Sequence, residues 1–178
     1  MSIRFAAVTA ILVLIGSYDA SAQDVAPCPT SVVPARAGGL ELIGWQKFPR
    51  ADAGAVFNYR AVGSFGADVY LYPGSDPLDG EVGGYKENLQ VMRDRGDFEA
   101  FQVESERELP GVEGQPTGRH VVVMLRRGNQ SQRSHFYVFP SGAQHVKVRI
   151  TYPEGRFTDE AVQTFIGELL GTLPKHGM

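Results

Sequence analysis

A single cysteine, Cys28, leaves this 178-residue chain unable to close an internal disulfide, so a cystine-stapled scaffold is excluded and the fold must rest on its apolar core. Long apolar runs are missing too. The most apolar stretch, Phe5 to Ile15, falls well short of the roughly 20 residues a membrane-spanning helix needs. Basic residues do not outnumber acidic ones: 17 Lys and Arg stand against 20 Asp and Glu, for a net charge of −3. A nucleic-acid partner would call for a concentrated basic face, and none is expected. No G-x-S-x-G, H-E-x-x-H, C-x-x-C, P-loop or G-x-G-x-x-G string occurs. The chain therefore carries no signature of catalysis, of a metal site or of a cofactor.

What is present begins at the amino terminus. Arg4 precedes Phe5 to Ile15, and the polar stretch that follows ends in Ala20-Ser21-Ala22, the small-x-small pattern of a cleaved export signal. Residues 1–22 read as a signal peptide, which predicts a periplasmic or secreted protein with no transmembrane segment. Cys28 follows Val25-Ala26-Pro27 and lacks the small-residue context of a lipidated cysteine. Residues 23–39 hold Pro27, Pro29 and Pro34 with Gly38 and Gly39, show no periodicity, and read as a flexible tether. Within it Cys28 is either an idle thiol or half of an intermolecular disulfide. Residues 40–178 are one domain's worth of chain, long enough to bury a core of their own.

From Leu40 onward, short apolar runs alternate with turn residues, the pattern of strands. Leu40 to Phe48, Ala55 to Val62 and Ala67 to Tyr72 are the first three, with Gly63-Ser64-Phe65-Gly66 as a hairpin turn. A helix follows from about Glu81 to Arg95, with Val82, Tyr85, Leu89 and Met92 on one stripe and Gly96 as its stop; Gly83 and Gly84 shift its expected regular start toward Tyr85. Phe98 to Leu109 is a strand, closed by a Pro110-Gly111 turn. Arg119 to Arg126, Ser134 to Phe139 and Gln144 to Tyr152 form an antiparallel meander, connected through Gly128 to Ser131 and Pro140 to Ala143. Val121, Val122, Val123, Met124 and Leu125 make their strand apolar on both faces, which calls for layers above and below the sheet. The closing helix is capped by Thr158, has Asp159 and Glu160 in its first turn, and offers Phe157 and Val162 as a hydrophobic staple. Ala161, Phe165, Ile166, Leu169 and Leu173 form its inward stripe, and Gly171 and Pro174 end it.

The predicted fold class is α+β: an antiparallel sheet of about six to seven strands flanked by two helices, in the order βββαββββα. Ala67 to Pro73, the meander ending in Val146 to Pro153, and the final helix together resemble the PsbP/Mog1-like fold group. That resemblance spans Leu40 to Leu173 as an architecture and implies a non-catalytic accessory or binding protein. It assigns no residue a role.

Two surfaces are candidates for function. Arg126, Arg127 and Arg133 crowd one hairpin tip, and Lys147 and Arg149 project from the polar side of the next strand. Against them stands the acidic stretch of Asp97, Glu99, Glu104, Glu106 and Glu108. The basic set suits an acidic protein or an anionic envelope component. The second surface is a polar, tyrosine-lined face formed by Asp68, Tyr70, Tyr72 and Arg60, suited to a small ligand or to a small envelope hydrolase. His120, His135 and His145 lie on consecutive strands. With each hairpin paired symmetrically about its four-residue connection, His120 and His135 fall about 13 Å apart, four rows at roughly 3.3 Å, and His145 faces the other way. That spacing excludes a shared metal.

Overall fold

The computed structural model describes residues 32–50, 54–61, 66–74, 77–109, 117–141, 143–155 and 158–173. Residues 1–22, read as an export signal, Cys28, most of the expected Gly63 to Gly66 turn, the expected Pro110-Gly111 turn, Phe157, Pro174 and His176 lie outside these residues. The elements run β1 (Arg36–Ala37), β2 (Leu40–Lys47), β3 (Ala55–Arg60), β4 (Gly66–Pro73), α1 (Leu78–Asp94), β5 (Ala100–Leu109), β6 (Gly118–Arg127), β7 (Gln130–Ser141), β8 (Gln144–Pro153) and α2 (Asp159–Thr172). All strands join one antiparallel sheet in the order β1-β2-β3-β4-β8-β7-β6-β5. Two four-strand meanders thus meet along the β4–β8 seam, with α1 connecting them.

Eight strands replace the expected six to seven. The addition, β1, lies in residues read as tether, so chain order takes hold before Gly39. Val33 and Ala37 are buried in the core cluster that also holds Phe165 and Leu169 of α2. Two residues cannot display a period, and contact with α2 supplies the order that local pattern could not. Gly38 makes the contact possible. Its φ is +53°, and a Cβ there would lie 2.5 Å from Cα of Phe165, while its N–H donates to Glu168 Oε2 at 2.7 Å. Gly38→Ala combines a left-handed penalty of roughly 1–2 kcal/mol with a clash against backbone. We expect a loss of about 2 kcal/mol or more, read as a lower urea midpoint with unchanged slope. An unshifted midpoint would mean that β1 is not seated on α2.

The helices cover opposite faces and opposite halves of the sheet. Val82, Tyr85 and Leu89 of α1 pack on Val121, Val123, Leu125, Phe136 and Val138 of β6 and β7. Val162, Phe165, Ile166 and Leu169 of α2 pack on Phe57, Val69, Tyr137, Val148 and Ile150 toward the other end. α1 begins at Leu78, a turn or more ahead of the expected start, with Asp79 and Glu81 in its first turn. Packing of Leu78 and Val82 outweighs the roughly 1 kcal/mol that each glycine costs. At its other end Gly96, φ +84°, supports a complete Schellman motif: Asp97 N–H donates to Met92 O at 3.0 Å and Gly96 N–H to Arg93 O at 2.9 Å.

This diagonal arrangement leaves two stretches of sheet uncovered. One is the α1 face of β3 and β4. The other is the α2 face of β5, the sheet's long, largely exposed edge strand, whereas on β6 His120 and Val122 of that face are buried.

Candidate functional site: an imidazole-floored groove beside α2

The turn between β6 and β7 decides the site. Arg127 pairs with Gln130, so the connection is the two residues Gly128-Asn129, with Gly128 at φ +57°. The expected four-residue connection is too long, and the pairing shifts by two: His120 lies opposite Tyr137 and His135 opposite Val122. The second hairpin shifts likewise, with Phe139 opposite Val146. His120 and His135 are therefore diagonal neighbours on the α2 face, and the expected separation of about 13 Å is overturned. His120 Nε2 lies 3.1 Å from His135 Nδ1. His145 does take the opposite face, where Glu81 Oε1 lies 3.3 Å from its Nδ1.

The two rings sit inside a polarised chain of hydrogen bonds. Arg107 Nε–H donates to His120 Nδ1 at 3.3 Å, and the guanidinium has no acceptor, so this nitrogen is the bare one. His120 consequently carries its proton on Nε2 and donates to His135 Nδ1. His135 in turn donates from Nε2 to the Tyr152 hydroxyl at 2.9 Å, and that hydroxyl donates to Asp159 Oδ1 at 3.2 Å. The chain runs from a cation on β5 to a carboxylate on α2 through two neutral imidazoles. Burial, then the neighbouring His135 and Arg107, push His120 down to about 3. Burial pushes His135 down to about 4, against the pull of Asp159. Tyr152 is pushed up to about 12 by burial and by Asp159, so its proton stays on. His120 also stacks on Tyr137 at 4.0 Å and 5°, whose hydroxyl accepts from Gln163 Nε2 at 3.0 Å.

Above these rings lies a groove of about 430 Å³. Ser105 and Arg107 form the β5 wall, Asp159, Glu160 and Gln163 the α2 wall, and His120, His135 and Val122 the floor. Its size is that of a small-molecule site.

The basic residues singled out by sequence do not form one patch. Register places Arg126 and Arg133 on the α2 face and Arg127, Lys147 and Arg149 on the α1 face. Most carry a carboxylate. Arg133 pairs with Glu104 at 3.0 Å and Asp159 at 3.5 Å, Arg126 lies 3.8 Å from Glu99, Lys147 is 2.8 Å from Glu81, and Arg149 is 3.1 Å from Asp68. Of the acidic stretch, Glu99 and Glu104 are thus spent on Arg126 and Arg133, whereas Asp97 pairs with Arg95, Glu106 with Lys86 and Glu108 with Arg119. Lys147 and Arg149, expected on an exposed side, are three-quarters covered.

Asp68, Tyr70, Tyr72 and Arg60 do share the α1 face. Asp68 accepts from Asn58 at 2.9 Å, from Arg60 at 3.3 Å and from Arg149 at 3.1 Å. Burial raises the Tyr70 hydroxyl above its ordinary value. Tyr72 meets the His145 ring edge-on at 5.8 Å, with Lys147 Nζ 4.8 Å from its centroid. This face is an internally satisfied ion-pair network. Among the described residues no group of three or more potential metal ligands converges, and no helix is long and apolar enough to cross a membrane.

Sequence reasoning missed the groove because it rests on register. The signal was nonetheless present, since Gly-Asn between two apolar runs is a two-residue hairpin dipeptide.

No family model matches the sequence, and no curated protein does. Among solved structures, the fold is similar to cyanobacterial PsbP (CyanoP) from Synechocystis sp. PCC 6803. The TM-score is 0.47 at 15% identity, over 76% of this chain and 85% of that one. It is also similar to a protein from Bacteroides thetaiotaomicron VPI-5482, with TM-score 0.39 at 14% identity over 70% of this chain and 40% of that one. A Pseudomonas aeruginosa protein of unknown function gives TM-score 0.36 at 11% identity, over 59% and 72%. The expected PsbP-like architecture is thereby met at the level of fold.

Proposed function

We propose that the protein is an exported, non-enzymatic binding or accessory module of the periplasm or cell exterior, and that it holds its ligand in the groove between β5 and α2. The leader pattern of Arg4, Phe5 to Ile15 and Ala20-Ser21-Ala22 supports export. One observation carries the choice of binding over catalysis. The imidazoles of the floor are neutral, and their nitrogens are consumed by Arg107, Tyr152 and each other, so neither offers a lone pair to a substrate proton. Asp68, the carboxylate of the alternative hydrolase face, is likewise engaged by three donors. A cavity with a rigid floor and polar walls remains, and that is a binding site.

Ser105 is exposed on the β5 wall. Ser105→Trp should fill the groove without touching the core. The wild-type protein, recovered with an affinity tag from cells that express it, should retain a bound component that this variant loses. The Arg126→Ala/Arg127→Ala variant should keep it. Loss confined to the arginine variant would move the site to the hairpin tip and sink the reading.

A further inference from the structure

Charges around the groove are mostly spent. Arg133 is held by Glu104 and Asp159, and Asp159 also accepts from Tyr152. Two lining charges stand apart. Arg107 uses only Nε, on His120, and among the described residues no carboxylate lies in ion-pair distance of its other nitrogens. Glu160, in the first turn of α2, likewise has no described cation in reach. They rise from opposite walls of one cavity and do not pair with each other. The floor between them, two imidazoles and Val122, is uncharged.

We infer that the groove takes a short peptide with free ends, its carboxylate on Arg107 and its ammonium on Glu160. This rests on the groove being the binding site. A pure anion would be drawn to Arg107 and repelled by Glu160, and a pure cation the reverse, so a dipolar ligand is the one both walls accept. The free η-nitrogens of Arg107 suit a bidentate carboxylate, with the Ser105 hydroxyl on the same wall two residues away. Length follows from the sheet. The α2 wall stands over β7, where Gln163 donates to Tyr137 and Asp159 lies 3.6 Å from His135 Nε2, and β6 separates β7 from β5, so the walls stand roughly 10 Å apart at about 4.8 Å per strand. A free amino acid, whose two charges sit on one carbon, cannot span that. Two to three extended residues at about 3.5 Å each can. Gln163 lines the same groove and gives its amide N–H to Tyr137, which leaves its carbonyl oxygen as the acceptor for a peptide N–H.

Trialanine is the probe, compared by calorimetric titration with its N-acetylated and C-amidated forms. Trialanine should bind saturably, and blocking either end should weaken it at least tenfold. Arg107→Gln should bind trialanine and its amide equally, and Glu160→Gln should bind it and its acetylated form equally. Each variant's thermal melt checks that it is folded. Because both comparisons are made within one variant, a general loss of structure would not mimic them. Equal binding of blocked and unblocked peptides, or no saturation at millimolar trialanine, overturns the inference. If trialanine fails while Ser105→Trp still strips the native component, the groove stands and only the ligand class falls. If Ser105→Trp also changes nothing, the binding reading falls with it.

Discussion

Ending the chain before Phe165 is expected to abolish cooperative unfolding. The truncation removes Phe165, Ile166, Leu169 and Leu173, all buried, and with them the cover over half the sheet. At about 1.5–3 kcal/mol for each large apolar side chain, the loss matches the roughly 5–15 kcal/mol that holds a whole domain together. More is lost than area. Phe165 sits edge-on to Tyr59 at 5.3 Å and 78°, and Glu168 accepts the Gly38 N–H. Val33, Ala37 and Leu40 lose their partner as well. A graded version keeps the test quantitative: Phe165→Ala, at a fully buried site, should cost about 3–5 kcal/mol. Circular dichroism during heating reads both. A soluble truncated chain with a sharp melt would show that the sheet stands without α2.

The parts of this fold that were legible in the sequence are those fixed by short-range chemistry. α2 is the plainest case: Thr158 Oγ1 accepts the Ala161 N–H at 3.3 Å, and the stripe of Phe165, Ile166, Leu169 and Leu173 faces inward. Its cap, acidic first turn and spacing all act within a few residues, so pattern suffices. The strands of both meanders, β1 excepted, were legible for the same reason. Features that depend on what lies across the sheet were not. Arg133 looks like a free cation until Glu104 and Asp159, far away in sequence, are brought beside it. Lys147 and Arg149 look exposed until α1 and β4 deliver Glu81 and Asp68. The groove is the sharpest example. A shift of two rows keeps every side chain on its face, so alternation cannot detect it, yet it turns distant histidines into a bonded pair.

That pair should make the protein's stability steeply dependent on pH. Imidazoles titrate near 6.5 in an unfolded chain, whereas His120 and His135 are held down to about 3 and about 4 by burial. Below pH 6.5 the unfolded state therefore binds protons that the native state refuses, and stability falls as pH falls. Above 6.5 neither state is protonated and the contribution is complete. Each histidine should cost about 1.4 kcal/mol per pH unit, which by pH 5 is roughly 2 kcal/mol each. The groups facing the pair are Arg107 from β5, Arg133 and Tyr137 from β7, Tyr152 from β8, and Asp159 and Gln163 from α2, with Glu104 nearby. Arg133 and Arg107 oppose a proton on the rings, and Asp159 favours one, which is why His135 yields before His120. Glu81 and Asp94 have lowered values, so their contributions are lost only below the ordinary carboxylate range. The window from pH 5 to 6.5 therefore belongs to the imidazoles. Urea midpoints at pH 7, 6 and 5 measure the slope, and the His120→Gln/His135→Gln variant supplies the control. It will be less stable at every pH, because the amides do not fill the stacked positions on Tyr137 and Tyr152. Its slope in this window should nonetheless be flatter, since the amides cannot titrate. A wild-type midpoint that stays level from pH 6.5 to 5, or an unchanged slope in the variant, would mean that the rings are charged. The groove would then have a cationic floor, and a dipolar ligand would no longer be the one its walls select.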